Sequence, residues 1–236
     1  MASSKLPILM YHNIHPESGE GLTCSMANFE AHCKLLVSEG YKTYHFSETA
    51  AISELPAKKN CIITFDDGYV NQLNYAVPLL RKYKLKATFF IPLAYLGKAD
   101  TWNTGNLPIM TAAQLRTLPS DTIELAYHSF QHKKYDELSF QEVSEDTQKC
   151  LKLAEEENLN FTNVVAYPYG KFPRKNPEQA IFFKQLEDAG IKNGLRIGNR
   201  IESFPFKNPF QINRIDVKGE WTLAKFKRKL KFGKWF

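Results

Sequence analysis

Cys61-Ile62-Ile63-Thr64-Phe65-Asp66-Asp67-Gly68 is an apolar run that stops on two adjacent carboxylates and a glycine. The run is too short for a helix and reads as a buried strand, with Gly68 closing the turn out of it. The same alternation repeats on both sides. Upstream, Leu6–Tyr11 reads as a strand ending at His12. Ser25 caps a helix with Phe29, Cys33, Leu36 and Val37 on one face and Gly40 as its stop. A strand near Lys42–His45 and a short helix from about Ser47 complete that half. Downstream come a helix over Val70–Tyr83 and a strand over Ala87–Ile91. Thr111 with Gln114 forms a capping box, as does Ser139 with Glu142, whose helix runs to about Glu157. Strands are expected at Ile123–Tyr127, Asn163–Ala166, Gly194–Ile197 and Gln211–Val217. Helices are expected at Pro177–Ala189 and from about Thr222, and Lys98–Pro108 and Arg200–Pro209 read as long loops.

Repeated βα alternation calls for a parallel sheet with helices outside it. His12, Asp66, Asp67, His128 and Tyr169 each sit just after an expected strand. In a barrel the C-terminal ends of many strands converge on one site, whereas an open sheet offers mainly one switch point. The expected architecture is therefore α/β, a distorted (β/α)7–8 barrel in a single domain over 1–236, with a basic tail over about 221–236.

At 236 residues and 43% hydrophobic, the chain can bury a full core. No run approaches the ~20 apolar residues of a membrane span. Met1-Ala2-Ser3-Ser4-Lys5 has no apolar h-region, so the expectation is a cytoplasmic protein, or an exported one whose signal has been removed. Cys24, Cys33, Cys61 and Cys150 show no CxxC spacing and read as buried free thiols. The net charge of +6 sits in the tail, where Lys225, Lys227, Arg228, Lys229, Lys231 and Lys234 fall in the last twelve residues with no acid among them. Elsewhere 25 basic residues balance 25 acidic ones, which argues against a nucleic-acid partner.

Asp66-Asp67, His128 and His132 together supply three metal ligands and one spare carboxylate, and Tyr167-Pro168-Tyr169-Gly170 supplies a rigid turn that can present backbone N–H groups. Those are the parts needed to hydrolyse an amide or ester with water activated by a metal.

Thr64-Phe65-Asp66-Asp67-Gly68 resembles the first motif of the polysaccharide deacetylases, His128-Ser129-Phe130-Gln131-His132 the second, and Ala166-Tyr167-Pro168-Tyr169 the third. Ala87-Thr88-Phe89-Phe90 fits as well, and the resemblance spans roughly Leu6 to Val217. It implies Asp67, His128 and His132 as metal ligands, Asp66 as general base, and the Tyr169 backbone N–H as an oxyanion donor. Neighbouring side chains of an extended segment point to opposite sides, which would let one aspartate bind metal while the other faces substrate. Zinc is the first metal to consider, with cobalt, nickel and iron as alternatives.

Two departures from the family pattern stand out. The late Leu-x-His motif that usually supplies the acid is missing, because no histidine follows His132. Met10-Tyr11-His12-Asn13-Ile14 resembles instead the biofilm-polysaccharide branch, which carries its acid on the first strand, so His12 is the candidate acid. The family's usual third-motif arginine falls at Ala166, and Arg214 is the candidate to replace it.

The expected activity is metal-dependent N-deacetylation of an acetylated amino sugar in a glycan or glycolipid precursor. An O-acetyl esterase and a carbohydrate-binding barrel without activity are the alternatives, and the oligomeric state stays open. His12 could also be a core histidine satisfied by a carbonyl. His15, His32 and His45 read as structural or solvent-facing, and Trp102 as a sugar platform or a plug of the barrel mouth. In the tail, Leu223, Phe226 and Leu230 form an apolar stripe that docks a terminal helix, while Phe232, Trp235 and Phe236 among lysines fit peripheral membrane contact.

Overall fold

The computed structural model describes residues 4–103 and 105–234. Its first half contains β1 (Ser4–Leu6), β2 (Ile8–Tyr11), β3 (Asn13–His15), β4 (Thr23–Ser25), α1 (Met26–Ser38), β5 (Tyr41–Thr43), α2 (Phe46–Ala50), β6 (Lys59–Phe65), α3 (Val77–Lys82) and β7 (Ala87–Ile91). The second half contains α4 (Ala112–Arg116), β8 (Ile123–Tyr127), α5 (Phe140–Glu156), β9 (Phe161–Ala166), α6 (Glu178–Asp188), β10 (Asn193–Ile197), β11 (Glu202–Phe204), β12 (Ile212–Asp216) and α7 (Leu223–Phe232). Seven parallel strands close in the order β2-β6-β7-β8-β9-β10-β12 and back to β2, which is the expected barrel. β5 pairs with Lys59–Cys61 of β6, below the point where β2 takes over at Ile62. That change of partner distorts the closure.

Side chains alternate across each strand, and the two sets meet different neighbours. Ile8, Ile62, Phe90, Ala126, Val164, Ala166, Leu195 and Ile212 form one cluster, which fills the barrel. Leu9, Ile63 and Phe89 belong to another, against Phe29, Cys33 and Leu36 of α1 and Leu80 of α3. The strands are buried on both faces, which is why they read as continuous apolar runs. The inward register runs Ile8-Met10-His12, Ile62-Thr64-Asp66, Ala126-His128 and Ile212-Arg214-Asp216. Every polar residue of the candidate site on these strands thus shares a parity with the barrel filling.

Three expectations need correction. Leu6–Tyr11 is two strands, because Pro7 between them has no N–H to give a ladder. β1 turns away and pairs antiparallel with β11, so the expected loop Arg200–Pro209 contains a strand. Val70–Tyr83 is helical as expected but not α-helical throughout: a π segment over Gln72–Ala76 leads directly into α3. The four cysteines are free and buried, as expected.

The apolar stripe of α7 docks only in part. Phe226 and Leu230 are buried, and the Phe226 ring stacks on His32 of α1 at 3.7 Å, while Leu223 is 43% exposed. Lys227 pairs with Glu39 at the end of α1. Trp235 and Phe236, and Met1–Ser3 at the other end, lie outside the described residues. Among the described residues no helix is long and apolar enough to cross a membrane.

Truncating a buried phenylalanine typically costs about 3–5 kcal/mol. Phe226→Ala should lower stability by about that amount in urea denaturation. Arg228→Gln and Lys231→Gln should stay within about 0.5 kcal/mol of the parent, as solvent-facing substitutions usually do.

Candidate active site

The barrel brings His12, Asp66, Asp67, His128, His132 and Tyr169 to the wall of one cleft at the C-terminal ends of the strands. Among the described residues seven non-glycine positions have positive φ, and four are here: Asp67 (73°), Ser129 (58°), His132 (55°) and Tyr169 (56°). Such conformations cost about 1–3 kcal/mol each and persist where the surroundings enforce them. Asp67 therefore does not diverge from Asp66 by strand alternation, as the sequence suggested. The left-handed turn at Asp67, continued by Gly68 at φ 65°, separates the two carboxylates within one pocket.

Asp66 is 2% exposed and is gripped end-on by Arg214, itself fully buried. Arg214 Nη1 donates to Oδ1 at 2.5 Å and Nη2 to Oδ2 at 2.7 Å, the bidentate fork that suits a carboxylate. Nη1 also reaches Thr64 Oγ1 at 3.2 Å. Burial alone pushes the Asp66 carboxyl up, but the charge of Arg214, with His128, outweighs it and holds it below the usual range. Arg214, the candidate for the missing third-motif arginine, is thus in direct contact with Asp66.

Asp67 Oδ1 lies 3.4 Å from His128 Nε2 and 3.2 Å from His132 Nε2, and receives no hydrogen bond. His128 Nδ1 sits 2.8 Å from the Ala166 carbonyl, which can only accept, so Nδ1 carries the proton and Nε2 is left with its lone pair. Three electron-pair donors, buried and within 4.8 Å of one another, converge on one point. This arrangement is able to hold a metal ion, and two nitrogens with one carboxylate oxygen suit a borderline divalent cation. Burial acts first on all three. It would raise the Asp67 carboxyl, but the two imidazoles hold it well below its ordinary value. His128 is lifted by both aspartates against burial, while His132 is pushed down by it.

His12 places Nε2 at 3.9 Å from Asp66 Oδ2, and its Nδ1 has no partner. It is not the core histidine satisfied by a carbonyl. Tyr169 is 44% exposed, on the turn Pro168–Gly170, with its ring edge-on to His132 at 4.9 Å. Gly170 is required there, since a Cβ would come within 2.8 Å of the Ile197 nitrogen. Trp102 lines the same cleft, where it stacks on the His132 ring at 4.1 Å and meets Tyr95 edge-on. Its loop is held by buried Asp100, which accepts from Tyr69 Oη and the Leu107 N–H.

One supporting residue had no sequence signal. Gln72, fully buried in the π turn, donates from Nε2 to the carbonyls of His12 (2.9 Å) and Asp66 (2.6 Å). It ties the end of β2 to the end of β6, and a π turn beside a functional residue is a recurrent device.

The polysaccharide deacetylase family model matches residues 54–191. YxkH of Bacillus subtilis (strain 168), named for the polysaccharide deacetylases, is 33% identical over 195 residues, covering 81% of this chain and 64% of that protein. The poly-β-1,6-N-acetyl-D-glucosamine N-deacetylase of Staphylococcus aureus (strain N315) is 26% identical over 202 residues, 81% of this chain and 66% of that one. The chain thus spans about two thirds of the length of these curated relatives. The fold matches that of the Streptococcus pyogenes deacetylase PplD, solved with acetate, at a TM-score of 0.81 with 24% identity over 97% of this chain and 99% of that one.

Removing one partner of a buried ion pair costs about 3–5 kcal/mol, so Arg214→Met should destabilise the protein by that amount at neutral pH. In the parent, the depressed Asp66 pKa contributes stability above its unfolded value that is lost as pH falls through the folded one. In the variant burial acts on Asp66 without this counter-charge and moves the folded pKa up, which reverses that contribution. The unfolded carboxylate is common to both proteins, so the stability gap between them should be widest at neutral pH and narrow as pH falls from the variant's raised folded pKa through the parent's depressed one. Denaturation curves across pH check this; a gap independent of pH would mean that Arg214 acts by packing alone.

Proposed function

Because this chain belongs to the polysaccharide deacetylase family, we propose that it hydrolyses N-acetyl groups of an acetylated amino sugar in a glycan or glycolipid precursor, releasing acetate. The observation that supports this most is the Arg214-clamped Asp66 beside the Asp67, His128 and His132 cluster. The Staphylococcus aureus relative's name makes an N-acetylglucosamine polymer the first substrate to test.

A divalent cation held by Asp67, His128 and His132, zinc before cobalt, nickel or iron, would polarise the attacking water and the acetyl carbonyl. In this reading Asp66 takes the proton from that water. Arg214 holds Asp66 ionised for the task and leaves it no other counter-ion to seek. The Tyr169 backbone N–H, presented by the left-handed turn, adds a donor for the developing oxyanion. An amide nitrogen cannot leave as an anion, so it must gain a proton as the C–N bond breaks. His12 supplies that proton, and its place 3.9 Å from Asp66 keeps donor and acceptor within one pocket. The products are a free amine and a carboxylate.

Two sets of variants test the roles. His128→Ala and His132→Ala should each abolish activity and lower bound metal measured by atomic absorption. Asp66→Asn should abolish activity with metal retained, and loss of metal in that variant would overturn its assignment as base.

His12→Ala separates amide from ester. General acid catalysis contributes about 10²–10⁴-fold, and an aryl acetate has a leaving group that needs no proton. The variant should lose activity on an N-acetylated chito-oligosaccharide by that factor and on aryl acetate far less. Equal loss on both would mean that His12 is not the acid.

A further inference from the structure

Asp146, on α5, takes no part in the chemistry above and is 7% exposed. Its carboxylate reaches the main chain between the two histidine ligands. The Phe130 N–H donates to Oδ1 and Oδ2, both at 3.0 Å, and the Gln131 N–H to Oδ1 at 3.4 Å. Tyr135 Oη donates to Oδ2 at 3.2 Å. One carboxylate therefore holds the middle of the turn 129–132, whose flanking residues, Ser129 and His132, have left-handed backbone.

The two histidines differ in how they are aimed. His128 has its Nδ1 on the Ala166 carbonyl, so its ring is held directly. His132 Nδ1 is buried and has no partner. Its direction depends on its backbone, at φ 55°, and on ring contacts with Trp102 and Tyr169. Metal-ligating histidines almost always have the second ring nitrogen bonded, and losing such support costs about 10–100-fold in metal affinity or activity. Here that support passes through the main chain.

We propose that Asp146 is a positioning residue that sets the metal affinity of the site by fixing the turn that aims His132. The proposal rests on the ligand assignment above. The capping carboxylate restrains the turn before any metal arrives, so its effect belongs to binding and not to the chemical step.

The test is zinc affinity by chelator competition, with the visible spectrum of the cobalt-loaded protein and unfolding of the metal-free forms, in the full chain. Asp146→Ala should weaken zinc binding about 10–100-fold and alter the cobalt spectrum. Asp146→Asn keeps one oxygen for the Phe130 N–H and should show a smaller loss than the alanine variant. Should Asp146→Ala not fold, Asp146→Asn carries the test, with affinity still below the parent's. A folded alanine variant, or failing that the asparagine variant, that binds zinc as tightly as the parent would overturn the proposal. So would a lower unfolding temperature with unchanged affinity and spectrum, which marks a purely structural residue. His132→Ala is the control: if it keeps full zinc affinity the ligand assignment fails, whereas loss there and none at Asp146 rejects only the positioning role.

Discussion

Two adjacent carboxylates, 2% and 4% exposed, have to stay ionised at the mouth of an apolar barrel. An isolated buried charge costs so much that it would instead neutralise, so each needs its own compensation. Asp66 has a guanidinium in bidentate contact, and Asp67 has two imidazoles facing a shared point. The different partners are what give neighbouring, chemically identical groups different work. One faces a fixed protein cation, which holds it ionised at rest. The other leaves a lone pair aimed at the point its two imidazole neighbours share, an arrangement able to hold an external cation. Much of the surrounding design follows from keeping these two environments apart.

The strands were legible because parity and composition are local. The inward register that packs Ile62 also delivers Asp66, and the one that packs Ile212 delivers Arg214. A reader who places the apolar runs therefore places the polar residues that end them. The metal cluster was legible for the same reason, since three short motifs each follow a strand whose end must lie at the same rim. Arg214 could be named from its position at the end of a late strand, though its bidentate geometry with Asp66 depends on a pairing across 148 positions.

What stayed hidden was the support that comes sideways from helices and turns. Gln72 reads as one polar residue in a helical pattern, and nothing local says that the pattern opens into a π turn so that its amide can reach two carbonyls. Asp146 reads as an ordinary charged residue of a long helix, although it faces inward onto another segment's backbone. The left-handed turn at Asp67 was missed because the strand pattern before it suggested simple alternation. In each case the decisive partner is a main-chain group, and main-chain groups carry no residue-specific signal.

The barrel closes where β2 meets β12 on one side and β6 on the other. His12 ends the first of these strands, Arg214 lies in the second, and Asp66 follows the third. The buried carboxylate of Asp66 thus meets its cation only across this seam, between segments 148 positions apart. Without β12 the sheet would keep two open edges and Asp66 would have no guanidinium, so closing the barrel and compensating its carboxylate are one event.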